Sequence, residues 1–243
     1  MRALRRVGVF CGSSAGNQQP IHTLARELGA TLAQQGIGLV YGGGKVGVMG
    51  MLADAVLETG GEAIGVLPNG LFSREVPHDN LTQLHLVDSM HDRKRLMYDL
   101  ADGFVILPGG LGTLDELFEA ATWNQLRLHE PLKPITMLDQ DDFWSALFAF
   151  LDTTVDVGFV KPTARLMFQR SVSPCEALDQ LRSFEFPWVQ RGSVVLDGAL
   201  DLVDELRRHD VVVRVLGGEA TAAAGDRTKV DRVASGLTGG DER

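Results

Sequence analysis

The chain has 243 residues, a length for one large domain or one domain with an appendage. Apolar residues make up 44% and charged residues 23%, which allows a sizeable core and excludes a chain too polar to fold. Asp and Glu outnumber Lys and Arg by 32 to 23, and the formal charge of −9 excludes the broad basic surface that a nucleic-acid partner needs.

In chain order, a basic start (Arg2, Arg5, Arg6) leads into an apolar run from Val7 to Cys11 that is too short for a signal-peptide core. Short β-rich runs occupy residues 6–10, 37–41, 63–67, 83–87, 104–107 and 134–138. Helical patterns fall between most of them, at 20–35, 48–59, 91–101 and 114–128, with two more near 141–155 and 174–181. Short apolar strands alternating with amphipathic helices build βαβ units. Residues 1–183 are therefore predicted to form an α/β domain, a doubly wound parallel sheet with helices on both faces. A C-terminal extension over 184–216 carries one more helical pattern, 197–209, and one more β-rich run, 211–216. Residues 217–243 contain hardly an aliphatic side chain and are expected to be disordered.

No stretch approaches the ~18 apolar residues of a membrane span, so no membrane partner is expected. Two cysteines, Cys11 and Cys175, suit neither a disulfide framework nor a Cys-built zinc site. The six histidines show no H-x-x-x-H spacing, so no metal is predicted. The reading is a cytoplasmic protein with reduced thiols.

Ligands of an open parallel sheet bind at the carboxyl ends of its strands, where loops meet helix N-termini. Three junctions qualify: Cys11-Gly12-Ser13-Ser14, Gly42-Gly43-Gly44-Lys45-Val46-Gly47 and Pro108-Gly109-Gly110-Leu111-Gly112-Thr113. Gly42, Gly44 and Gly47 fit G-x-G-x-x-G, but the loop follows the second strand, and the next strand ends in Leu67-Pro68-Asn69 with no acid for a ribose. These glycines are read as allowing a helix to pack close to the sheet and to a ligand, not as a nicotinamide or flavin site. In the third loop, free amides and the positive end of the following helix, which Thr113 is expected to open, favour a phosphate. The loop lacks the G-K-[ST] ending of a P-loop.

Two charged positions have alternative readings. Thr113-x-x-Glu116 fits a capping box, the reading the spacing favours, and the other reading of Glu116 is a carboxylate beside whatever the loop binds. Asp115 and Glu119 add two acids to the same helix; three acids repel an anion, so at least one needs a separate reason to be there. Arg93 lies three residues before Leu96 and four before Met97, on the apolar stripe of its helix, while Asp92, Arg95 and Asp99 form the opposite face. Either Arg93 and Lys94 snorkel at the helix start, or Arg93 points inward to a partner such as a phosphate or Glu116.

Three segments then occur in a specific order: Tyr41-Gly-Gly-Gly-Lys-Val-Gly-Val-Met-Gly50, Met90-His-Asp-Arg-Lys94 and Pro108-Gly-Gly-Leu-Gly-Thr-Leu-Asp-Glu116. Together they resemble the LONELY GUY (LOG) family of cytokinin-activating nucleoside 5′-monophosphate phosphoribohydrolases, from about Val7 to Leu181, including Thr122-Trp123-Asn124-Gln125. The P-G-G-x-G-T-x-x-E signature is complete. Proteins of this family are often labelled lysine decarboxylases, but nothing in the sequence supports a pyridoxal phosphate site. The resemblance implies a Rossmann-like fold, a homodimer, no cofactor, and cleavage of an N6-modified AMP into free base and ribose 5-phosphate. By resemblance, Arg93 and Glu116 are the catalytic pair. Glu75, Lys94, Gly109, Gly110, Leu111, Gly112, Thr113, Leu114, Asp115 and Thr122 match the nucleotide-contacting positions. The chain departs from the family in its C-terminal extension and in Lys45, where Ser is common.

The implied chemistry suits these residue types. Breaking a ribosyl–adenine bond builds positive charge on the ribose, which a nearby carboxylate stabilises while orienting the attacking water. An arginine beside the departing purine acts as an electrostatic and positioning group, since a guanidinium rarely gives up its proton. The alternative is a non-catalytic nucleotide sensor with the same pocket, which would not require an acid beside a phosphate.

Overall fold

The computed structural model describes residues 2–71, 76–128, 130–139, 141–187, 189–190 and 193–194. The chain divides into two units after Pro187. In the first, seven strands make one parallel sheet: β1 (Arg6–Phe10), β2 (Gly38–Tyr41), β3 (Ala63–Pro68), β4 (Gln83–Val87), β5 (Phe104–Ile106), β6 (Ile135–Leu138) and β7 (Phe168–Ser171). Their order is β4-β3-β2-β1-β5-β6-β7. The helices are α1 (Gln19–Gln34), α2 (Gly47–Glu58), α3 (Met90–Leu100), α4 (Leu111–Leu126), α5 (Ser145–Asp156), the short α6 (Pro162–Arg165) and α7 (Pro174–Ser183). The predicted Rossmann-like architecture is thus the observed one.

Hydropathy explains the layers. β2, β3, β5 and β6 are buried at every position, as strands covered on both faces must be, whereas β4 at the sheet edge has only exposed and half-buried residues. One core cluster joins Val7 and Val9 of β1 to Leu24, Leu28 and Leu32 of α1, Leu52 and Val56 of α2, and Leu178 and Leu181 of α7. A buried polar clamp ties α3 and α4 to the chain entering β6. Tyr98 Oη donates to Asn124 Oδ1 at 2.8 Å, which also accepts from Lys133 N at 3.0 Å, while Asn124 Nδ2 donates to Lys133 O at 2.7 Å.

Two differences from the sequence reading have simple causes. β7 and α6 were not predicted, because Phe-Gln-Arg-Ser holds one large apolar residue and α6 has four residues. α4 begins at Leu111 rather than Leu114, with the N-cap at Gly110 and no side-chain cap. In the second unit, β8 (Val189–Gln190) pairs antiparallel with β9 (Ser193–Val194). The patterns read at 197–209 and 211–216, and the tail at 217–243, lie outside the described residues, as does Glu75.

Candidate functional site

The chain runs outward from β1 through β2 and β3 to β4, then returns to β5 on the other side of β1 and continues to β7. Strand order therefore reverses between β1 and β5, which opens a crevice beyond their carboxyl ends. A pocket of about 340 Å³ lies there, walled by residues 12–18 after β1 and 108–113 after β5, with Val48 and Phe143 at its sides.

The floor is the start of α4. Its first amides, those of Leu111, Gly112 and Thr113, have no intrahelical acceptor, and the helix dipole adds positive charge there. Thr113 is buried and sits over Gly109: a Cβ at position 109 would lie 2.1 Å from Thr113 Oγ1 and 2.9 Å from Gly12 N. Gly109 is thus required by packing. Gly110 and Gly112 are not, since a Cβ on either meets nothing within 4 Å. Their bareness leaves space for a ligand to approach the amides.

The expected capping box is absent. With Gly110 as N-cap, Thr113 is the third helical residue and Glu116 the sixth, so Glu116 lies beyond the capping turn. Sequence spacing suggested the box because a threonine is a common N-cap, but Thr113 is turned into the protein over Gly109. Glu116 is half-buried on α4.

α3 brings the cations. Ser89 caps it by accepting from Asp92 N at 3.1 Å. Arg93 follows one turn later at 2% exposure, and its Nη2 donates to the carbonyl of Gly42 at 2.9 Å. The guanidinium occupies the space a side chain at 42 would fill, where a Cβ would lie 1.9 Å from Nη2. Arg93 therefore points inward and does not snorkel. Lys94 is 9% exposed, with Nζ 2.9 Å from Glu119 Oε2 and 3.1 Å from Asp115 Oδ2. Burial alone would lower its pKa, but the bonds to Glu119 and Asp115 outweigh it and hold the ammonium above the ordinary lysine value. The two extra acids on α4 thus have their reason: they neutralise Lys94 and join α3 to α4 on either side of Glu116.

The remaining predicted residues divide. Leu114, Asp115 and Thr122 line an open groove of about 610 Å³ on the outer face of α4, together with Phe118, Glu119 and Trp123. Residues 109–113 line the crevice, with Leu111 bordering both. In the Gly42–Gly47 loop, Gly43 lies against Gly65, and a Cβ at Gly47 would meet Ser13 O at 2.3 Å.

The sequence reading missed Phe143, which lines the crevice. Buried Asp139 accepts from Phe143 N at 2.7 Å and Trp144 N at 3.2 Å and faces Arg170 Nη2 at 3.3 Å, so it fixes the loop that presents Phe143. The available signal was an acid closing a buried strand. No helix among the described residues is long and apolar enough to cross a membrane.

A family model described as “Possible lysine decarboxylase” matches residues 49–181. A protein of Oryza sativa subsp. japonica named “Probable cytokinin riboside 5′-monophosphate phosphoribohydrolase” is 44% identical over 183 residues, covering 75% of this chain and 74% of its own. A cytokinin riboside 5′-monophosphate phosphoribohydrolase of Arabidopsis thaliana is 41% identical over 180 residues, covering 74% and 84%. Among solved structures, a molybdenum cofactor binding protein from Rippkaea orientalis aligns with a TM-score of 0.57 at 23% identity, covering 75% of this chain and 98% of that one. The molybdenum cofactor carrier protein of Chlamydomonas reinhardtii aligns at 0.56 and 22%, covering 74% and 98%. At such identities the likeness shows the fold alone.

Proposed function

This chain belongs to the family of the cytokinin riboside 5′-monophosphate phosphoribohydrolases, and from that membership we propose that it hydrolyses the N-glycosidic bond of AMP or an N6-substituted AMP. The products are the free base and ribose 5-phosphate. The observation that carries this reading is the bare start of α4 at the switch point, where Gly110 and Gly112 face open space before three free amides. That geometry suits one phosphate group.

With the phosphate on the amides of Leu111, Gly112 and Thr113, the ribose extends toward the α4 turn that carries Glu116. There the carboxylate stabilises the oxocarbenium-like ring and orients water. The water oxygen bonds to C1′ as the C1′–N bond breaks, the electron pair leaves with the purine, and the water's proton passes by way of Glu116 and solvent to the purine nitrogen that was released. Arg93, buried and held by Gly42, stabilises charge on the departing base without giving up its proton. Glu75, Lys94, residues 109–115 and Thr122 are the substrate contacts of this reading, and residues 1–183 its catalytic domain. A homodimer working in the cytoplasm completes it; the exposed Leu111, Phe118 and Leu126 on α4 support a second copy.

Binding energy from the phosphate is available to position the scissile bond, so losing it lowers rate as well as affinity. AMP should be split to adenine and ribose 5-phosphate, with adenosine far slower and ATP poor, as chromatography of the products would report. Equal hydrolysis of adenosine and AMP overturns the phosphate site. AMP binding without turnover overturns the enzyme in favour of a sensor.

A further inference from the structure

His78 is 6% exposed in the segment that links β3 to β4. Both ring nitrogens are engaged. Nδ1 accepts the backbone N–H of Asn80 at 3.2 Å, and a backbone amide can only donate, so the ring proton belongs to Nε2. Nε2 then donates to Asp54 Oδ1 on α2 at 2.9 Å. The ring thereby shapes its own turn and ties it to a helix.

The same segment lies across the glycine loop between β2 and α2. Lys45 N donates to Val76 O at 2.8 Å, Gly44 and Pro77 form an antiparallel bridge, and His78 N donates to Gly43 O at 3.0 Å. Lys45 also pairs with Asp79. Gly43 has φ +81°, and its Cα packs against Gly65, so the peptide before it has a defined orientation only while the loop stays clamped. That peptide carries the carbonyl of Gly42, the acceptor for Arg93 Nη2.

We propose that His78 is a positioning residue for the hydrolysis: by anchoring residues 76–80 to α2 it holds the glycine loop, and so holds the Gly42 carbonyl at the guanidinium of Arg93. The proposal rests on the role given to Arg93 above. The chain of contacts is continuous. Asp54 holds the ring, the His78 backbone holds Gly43, and the loop orients the Gly42 carbonyl that accepts from the buried cation. A shift of that carbonyl by a fraction of an ångström moves the positive charge away from the departing base, and misplacement on the order of 1 Å costs about 100-fold in rate.

The test is steady-state hydrolysis of AMP by the full chain, with melting temperature measured alongside. His78→Ala should lower kcat about 10–100-fold while KM for AMP changes less than about threefold. His78→Asn, whose Oδ1 can accept from Asn80 N, should recover part of the loss. In an Arg93→Ala background, His78→Ala should cost less than about twofold, because the two changes remove one arrangement. Equal cost in both backgrounds shows that His78 acts independently of Arg93 and overturns the proposal. Should His78→Ala fail to fold, Asp54→Ala removes the exposed end of the tether, with Asp54 at 59% side-chain exposure. It should lower kcat about threefold in the wild type and not in the Arg93→Ala background, and no change in either overturns the proposal. If Arg93→Ala alone turns AMP over at the wild-type rate, the role of Arg93 falls first, and that result is distinct from a failure of His78.

Discussion

The two glycine-rich loops look alike as strings and differ as objects. In the Gly42–Gly47 loop the space beside the glycines is taken by the protein itself: the Arg93 guanidinium at Gly42, Gly65 and Leu84 at Gly43, and the Ser13 carbonyl at Gly47. In the loop before α4, Gly109 is filled in the same way by Thr113, but Gly110 and Gly112 have nothing within reach. The first loop uses small residues to seat a buried cation. The second uses them to keep a helix start bare. What distinguishes a packing glycine from a binding glycine is which atoms stand where its side chain would be.

The largest effect should come from the carboxylate behind the bare loop. Glu116→Gln keeps size and hydrogen bonding but removes charge, and kcat for AMP should fall about 10²–10⁴-fold with an unchanged melting temperature. Because Glu116 stands beyond the capping turn, a cap cannot account for such a loss; near-normal turnover in a folded variant would sink its catalytic role.

Next come matched substitutions in the two loops, which bear directly on the contrast. Gly42→Ala drives a methyl into the guanidinium and should cost about 1–3 kcal/mol of stability and, by moving Arg93, about 10–100-fold in kcat. Gly112→Ala meets no protein atom and replaces glycine in a helix, so stability should hold or rise by about 0.5–1 kcal/mol. Its cost should fall on KM for AMP and, because the phosphate helps to position the scissile bond, on kcat as well. If Gly112→Ala destabilises the fold while leaving KM untouched, the bare loop is a packing device like the first.

The smallest effect concerns Lys94. Its pKa is raised in the folded protein, so the stabilisation by Glu119 and Asp115 is complete below the ordinary lysine value of 10.5 and is lost as pH climbs through the raised value. The melting-temperature gap between wild type and Lys94→Met should therefore be flat across neutral pH and close only in strong alkali. A gap that closes near neutrality would mean that the two carboxylates are not what holds Lys94.

Much of the fold was legible because the buried strands are mostly apolar runs and the longer helices are periodic. β1 and β4 fall where the alternation put them, and the other four predicted strands within a residue at either end. β7 was illegible because its pairing partner, β6, decides its conformation while its own side chains carry no pattern. In the site, Arg93 announced itself as a cation on an apolar stripe, and Asn124 could have been found as an amide one and two turns from the buried Ala120, Ala121 and Leu117. His78 and Asp139 could not be assigned partners, because the groups they hold are distant in the chain or belong to backbone amides.

By itself, then, the sequence determined the alternation of elements, the place of Arg93 on an apolar stripe and the glycine content of the two loops, all set by local hydropathy and by the absence of side chains. Only the tertiary structure decided where the strand order reverses, that α4 starts at Leu111, that Lys94 is shared between Glu119 and Asp115, and which glycines are filled. Those outcomes depend on what packs against a residue across the sheet. A string records the neighbours along the chain; the crevice is made by neighbours in space.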